Sequence, residues 1–334
     1  VTDQAMQGKE TGQVLRLLIT GATGALGCEV VRQCLVAGHH LTLVVRDPSR
    51  CPPAWRIDQR ITVVERDLTS ITELPQADVV LHLAASLSGD AAKQQKNTVE
   101  ATQSLMCAAQ RSEVPPAIVL AGSMSVYSAM HLSAGDVVDE TRPLEDQPHL
   151  RDAYCHAKLA QEQMCRDAAV AMNVPLQILR IGAIWGPGRL WNAHLGVMLG
   201  PVFLRLENKG ELPLSHIRHA AQALRLAAEA AARGQSDVIN VVDSDLPDRT
   251  TYLAQHRRTG WPRLVLPFPW KILALAARLT RSCLPIGLLK LPTIRYRMMP
   301  LRFANTALTE RLKWRPEAGF QTLMDEAVRR GGKP

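Results

Sequence analysis

Tyr154-Cys-His-Ala-Lys158 sets a phenol and an ammonium four residues apart. On a helix, positions i and i+4 share a face, so the two groups can approach each other. A free tyrosine titrates near ~10, too high for a base at neutral pH. A cation alongside stabilises the phenolate and lowers that value, which makes the side chain usable as a general acid or base. Such pairs occur in many helices by chance, and this one gains weight only from its setting. Ser123, in Ala121-Gly-Ser-Met-Ser-Val-Tyr127, offers a hydroxyl that can hydrogen-bond a carbonyl or carbinol while the tyrosine moves the proton. Ser125 is a rival for that role.

These groups need a frame, and Leu15 to Gly27 (LRLLITGATGALG) starts it. An apolar run ends at Thr20, glycines follow at 21, 24 and 27, and a helical period begins (Leu26, Val30, Val31, Cys34, Leu35). Strand, glycine turn and helix form the context in which such glycines bind a dinucleotide. Gly21 permits the turn, Gly24 lets backbone approach a pyrophosphate, and Gly27 allows close packing of helix on sheet. The helix N-terminus supplies unpaired N–H groups for the phosphates. Further strands are predicted at 40–46, 61–66, 78–85, 117–121 and 176–181, with helices over about 91–111 and 150–171. Alternating strands and helices imply a parallel sheet covered on both faces. The expected fold is therefore α/β: a doubly wound Rossmann-type sheet with a smaller C-terminal substrate lobe. Residues 1–13 read as a disordered leader and 14–181 as the NAD(P)-binding domain. Residues 182–334 are mainly the substrate lobe, with some segments returning to the sheet. Arg46 closes the second predicted strand, where an arginine can pair with the 2′-phosphate of NADP. Asp47 beside it keeps NAD open.

The chain has 334 residues, ordinary apolar content and no run long enough to span a bilayer. Its seven scattered cysteines contain no C-x-x-C, which fits a reducing compartment and no structural zinc. A cytoplasmic location is expected, with membrane association kept open. The net charge of +8 is uneven: residues 251–334 carry 16 Lys/Arg against 4 Asp/Glu, and no carboxylate occurs between Arg249 and Thr309. Within 261–302 these cations alternate with Leu, Ile and Trp. In a helix at about 269–282, Lys271, Arg278 and Arg281 share one face, and Ile272, Leu275, Ala276 and Leu279 another. The two readings are a lobe packed on its apolar face and a peripheral membrane contact through 261–302. A nucleic-acid role is not expected, since no base-reading motif accompanies the charge.

Taken together, these motifs resemble the extended short-chain dehydrogenases/reductases, the branch with nucleotide-sugar epimerases and dehydratases, dihydroflavonol-type reductases and 3β-hydroxysteroid dehydrogenases. The likeness covers about residues 14–331. Beyond the glycines it rests on Asp67-Leu68, His82-Leu-Ala-Ala85, Asn97, the Ser123, Tyr154 and Lys158 set, Arg180 to Gly188, Phe303-Ala-Asn-Thr-Ala and Leu312-Lys-Trp-Arg-Pro316. It implies a cofactor held by Gly21, Thr23, Gly24, Ala25, Leu26, Gly27, Arg46, Asp67, Leu68, Leu83, Ala84, Ala85, Tyr154, Lys158 and Ile181. Catalysis would fall to Ser123, Tyr154 and Lys158, with Ser125 and Trp185 against a small-molecule substrate. NADP is the expected cofactor. A homodimer is left open. His219 stands where the family has Asp, and His216 and His219 lack a third ligand, so no metal is expected. Ser123-Met124-Ser125 lacks the Asp-Glu pair of sugar dehydratases. The implied activity is interconversion of a secondary alcohol and a ketone on an apolar substrate. The alternatives are a nucleotide-sugar epimerase holding NAD and, more remotely, a non-catalytic NADP sensor.

Overall fold

The computed structural model describes residues 13–87, 90–200, 202–207, 209–279 and 290–330. The first twelve residues, nearly all of the expected leader, lie outside that set. Seven strands form one parallel sheet: β1 (Arg16–Thr20), β2 (His40–Val45), β3 (Ile61–Glu65), β4 (Val79–His82), β5 (Ala117–Ser123), β7 (Leu176–Ile181) and β12 (Asp237–Val241). Their order is β12-β7-β5-β4-β1-β2-β3. The chain winds outward from β1 to β3, then restarts at β4 on the other side of β1. That reversal opens a crevice at the carboxyl ends of β1 and β4, where a doubly wound sheet binds its ligand.

Alternation along each strand builds two cores. Leu17 and Ile19, Val79 and Leu81, and Val119 and Ala121 face one layer. There α1 (Ala25–Val36) and α5 (Ile217–Ala232) lie against the sheet, α5 through small residues such as Ala220, Ala223 and Ala227. Leu18, Val80, Ile118 and Ile178 face the other layer, beneath Leu105, Met106, Cys165 and Ala168. Burial on both faces is why these strands are continuous apolar runs.

The predicted helix over 91–111 is in three pieces: α2 (Ala91–Gln94), a π-helical stretch (Gln95–Glu100) and α3 (Ala101–Gln110). The helix expected from Leu150 begins later, as α4 (Ala153–Met172). The Asp152 carboxylate accepts from Cys155 N and caps it, while Asn173 ends it in the left-handed region at φ 52°. The fifth strand runs two residues further than expected and takes Ser123 as its last member.

Smaller sheets complete the molecule. β9 (Gly196–Leu199), β10 (Val202–Arg205) and β13 (Leu264–Pro267) form one, with β13 at an edge. β8 (Ala183–Trp185) pairs with β11 (Leu214–His216), and β6 (Val137–Val138) pairs with β14 (Arg302–Phe303). Helices α6 (Arg249–His256), α7 (Trp270–Leu279) and α8 (Leu291–Met298) belong to this region. The amphipathicity expected of α7 is reversed. Trp270 is buried and Leu273, Ala274 and Ala277 pack on the core, whereas Ile272 and Leu275 point outward with Lys271 and Arg278. Arg281 lies outside the described residues, as do the side chains of Ala276 and Leu279. Among the described residues, no helix is long and apolar enough to cross a membrane.

Candidate active site

The glycine turn follows β1. Gly21 has φ +73°, and a Cβ there would lie 2.8 Å from Ala84 N in the loop after β4. A Cβ on Gly27 would sit 2.2 Å from Gly21 O, so this glycine is demanded by its own turn and not, as expected, by close packing of helix on sheet. Gly24 is different. It is exposed, its φ is ordinary, and the nearest atom to an added Cβ is Gly21 O at 3.3 Å. Gly24 also begins α1 without supplying any side-chain cap. The first-turn N–H groups are thus left to an outside acceptor, and the bare backbone leaves room for one. Thr23, Ala25 and Leu26 are half-buried around this turn. A dinucleotide pyrophosphate fits it.

Facing the turn, Leu83, Ala84 and Ala85 form the half-buried loop after β4. It is fixed by a buried polar chain that the sequence reading did not assemble. Ala84 N donates to Thr20 Oγ1 at 3.2 Å, and Thr20 Oγ1 lies 2.7 Å from His82 Nδ1. His82 Nε2 lies 2.8 Å from Thr102 Oγ1, which donates to Thr98 O at 2.6 Å. Gln161 Nε2 also lies 3.0 Å from His82 Nε2, so the ring is held at both nitrogens by this chain. Burial pushes the imidazole down to about 3, and it stays neutral. Gln161 Nε2 donates to Ala84 O (3.2 Å) and Thr102 Oγ1 (2.9 Å). Its Oε1 accepts from Lys158 Nζ at 2.7 Å, and Lys158 also donates to Ala121 O at 2.9 Å.

Ser123 and Tyr154 are brought together: the Ser123 side chain acts on the phenol in the direction that favours the phenolate. Burial outweighs that effect and raises the phenol above its ordinary value. The lowering anticipated from Lys158 is therefore not the arrangement found, because the lysine reaches away to Ala121 and Gln161. The cation acting on the phenol is Arg297, from α8, which sits 3.3 Å from the Asp152 carboxylate. Nothing in the spacing of residues so far apart signalled it. Lys158 itself is buried, and burial pushes it down to about 8. Ser125 N donates to Ser123 Oγ at 3.2 Å, while Ser125 Oγ is buried with no hydrogen-bond partner in the protein. Arg151 secures this loop from behind, donating to Ser125 O and Tyr127 O and pairing with Glu145 at 3.1 Å. Ile181, buried at the end of β7, is in register with Ser123.

At the outer end of the crevice, Arg46 is exposed and donates to Asn97 Oδ1 at 3.1 Å. The Asp67 carboxylate caps the turn after β3, accepting from Thr69 N and Oγ1, and these bonds hold it below its ordinary range with help from Arg46 and Lys96. Leu68 beside it is buried. Asp47 also caps its own turn: Oδ1 accepts from Ser49 N and Oγ.

Trp185 corrects an expectation. It is fully buried, donates to Asp243 Oδ2 at 2.8 Å, and packs on His216, Tyr252 and Phe320. Pairing of β8 with β11 turns this ring into the core and away from any substrate. His216 and His219 are tied to the same carboxylate. His216 N donates to Asp243, and His219 Nδ1 lies 2.8 Å from Asp243 Oδ1 while its Nε2 accepts from Glu317 N.

A doubly wound sheet with a dinucleotide turn and a Ser–Tyr–Lys set at its crevice defines a nicotinamide-dependent short-chain dehydrogenase/reductase of the extended type. Residues 17–241 match the NAD dependent epimerase/dehydratase family, and the chain belongs to it. It is 25% identical over 257 residues to a 3-diazoavenalumate denitrifying reductase of Streptomyces sp, covering 73% of this chain and 81% of that protein. It is 26% identical over 253 residues to a 3 beta-hydroxysteroid dehydrogenase/Delta 5-->4-isomerase of Mycobacterium tuberculosis, covering 69% of this chain and 66% of that protein. The solved structure of MoeE5 in complex with UDP-glucose and NAD superposes with a TM-score of 0.70 at 19% identity. It covers 94% of this chain and 98% of that chain, a likeness of fold.

Proposed function

We propose that this protein interconverts a secondary alcohol and a ketone on an apolar small molecule, with NADP as the preferred cofactor. The observation that carries the reading is Ser123, the last residue of β5, whose side chain acts on the Tyr154 phenol at the carboxyl end of the sheet. A nicotinamide cofactor bound at the glycine turn would supply or take the hydride. Tyr154, kept protonated by burial, gives its phenolic proton to the carbonyl oxygen during reduction and takes it back in the reverse direction. Ser123 hydrogen-bonds the same oxygen and holds it in line with the phenol. Lys158 uses two of its three N–H donors inside the protein, leaving one for a ribose hydroxyl. The preference for NADP is supported by Arg46 and Lys96 at the outer end of the crevice. It is also supported by Asp47, whose Oδ1 is already committed to Ser49. An apolar substrate is supported by the likeness to a hydroxysteroid dehydrogenase.

The experiment is a screen of ketones, sterols and nucleotide sugars against NADPH and NADH, followed at the absorbance of the reduced nicotinamide. Net oxidation of NADPH by a ketone is the expected result. Conversion of a nucleotide sugar with no net change in reduced nicotinamide would instead make the protein an epimerase.

A further inference from the structure

The segment without carboxylates has a face for which the active site has no use. β13 is an edge strand, and two residues after it α7 begins. On these consecutive elements Leu264, Leu266, Ile272 and Leu275 are 49%, 43%, 54% and 56% exposed. Scattered single apolar residues on a surface need no explanation, but four on adjoining elements do. Arg263, Lys271 and Arg278 are exposed among them. Several other cations of the segment have partners: Arg249 donates to three backbone carbonyls, Arg297 pairs with Asp152, Arg258 pairs with Asp325, and Lys290 donates to His149 O. Arg263, Lys271 and Arg278 make no ion pair among the described residues.

We propose that this face docks the protein peripherally on an anionic phospholipid surface. Outward leucine and isoleucine flanked by Lys and Arg is the composition of an interfacial element, in which apolar side chains enter the acyl boundary and cations meet the headgroups. A second copy of the chain would bring like charges together. A nucleic acid would use the cations but leave the four aliphatic side chains without a partner. The docking is independent of which substrate the active site takes.

The test is co-sedimentation of the full chain with vesicles of phosphatidylglycerol and phosphatidylcholine, and with phosphatidylcholine alone. Binding should require the anionic lipid and weaken as salt rises. Lys271→Gln and Arg278→Gln should each cut it about fivefold, the worth of one basic residue near such a surface. Ile272→Ser with Leu275→Ser should abolish it while the thermal unfolding temperature stays at the wild-type value. Protein left in the supernatant with both vesicle types, or pelleting that survives all these substitutions, overturns the proposal. So does a dimer in sedimentation velocity that the Ile272→Ser, Leu275→Ser variant converts to monomer, since the face would then join two copies of the chain.

Discussion

Lys158 Nζ donates to Gln161 Oε1 at 2.7 Å, three residues further along α4, and both side chains are buried. The amide end of the same glutamine reaches Thr102 and the Ala84 carbonyl, so the lysine is tied to the loop against the dinucleotide turn. Gln161 is a positioning residue: it sets where the cation sits and how easily it keeps its proton. Gln161→Leu removes an acceptor from a lysine already pushed down to about 8, so the alkaline limb of the kcat/KM profile should move to lower pH. Gln161→Glu puts a carboxylate beside the cation and should move that limb to higher pH. Shifts in one direction for both variants would mean that the glutamine only fills space.

Tyr154→Phe should leave cofactor binding intact and lower turnover by about 10² or more, the scale of a lost general acid/base. Binding is read by quenching of protein fluorescence and turnover by the reduced-nicotinamide signal. Turnover close to wild type would remove the phenol from the mechanism.

Arg46→Ala should weaken NADP binding by about 10- to 100-fold, the worth of a charge-assisted hydrogen bond to phosphate, and spare NAD. Equal losses for the two cofactors, measured by titration calorimetry, would reduce Arg46 to a partner of Asn97.

Burial lowers His82 to about 3, and His216 and His256 to about 4. An unfolded chain takes up these protons near ~6.5, so between there and the folded values the unfolded state binds more protons. Stability is then fully present above the unfolded value and is lost as pH falls, by up to about 1.4 kcal/mol per pH unit for each imidazole. Calorimetric unfolding temperatures should drop steeply from pH 6.5 toward 4, and His256→Phe should flatten that slope.

Trp185→Ala should act on the fold and not on substrate recognition. Loss of a fully buried ring costs about 3–5 kcal/mol and also leaves the Asp243 carboxylate without one donor. The midpoint of denaturant unfolding should fall while KM for any substrate found by screening stays near wild type.

Much of the sheet was legible because a strand buried on both faces is a continuous apolar run, and 17–19, 79–81 and 117–121 stand out as such. The glycine turn was legible because its glycines follow an apolar strand at fixed spacing and open a helix. Two other readings failed for one reason. Periodicity tells which residues of α7 share a face, and the family resemblance offered a role for Trp185, but the partner element decides whether a face meets the core or solvent. Trp185 consequently turned inward, and Ile272 and Leu275 outward. Gln161 was passed over, yet Lys158, Gln161, Glu162 and Cys165 recur at the spacing of a single helical face. Polar residues on what must be a buried stripe were the signal to look for a network there.

The last strand of the main sheet has a consequence for synthesis. β7 is buried along its whole length, and one of its edges is covered only by β12, more than fifty residues further on. Asn240 of that strand also accepts from Tyr127 Oη at 2.6 Å and donates its backbone N–H to Glu140. A nascent chain that has emerged only as far as Ala232 therefore carries an open apolar edge, and Tyr127 and Glu140 lack these partners. Such an edge invites pairing with other chains. Ribosome-bound chains of that length should be chaperone clients, and a fragment ending at Gly234 should aggregate where the full chain does not.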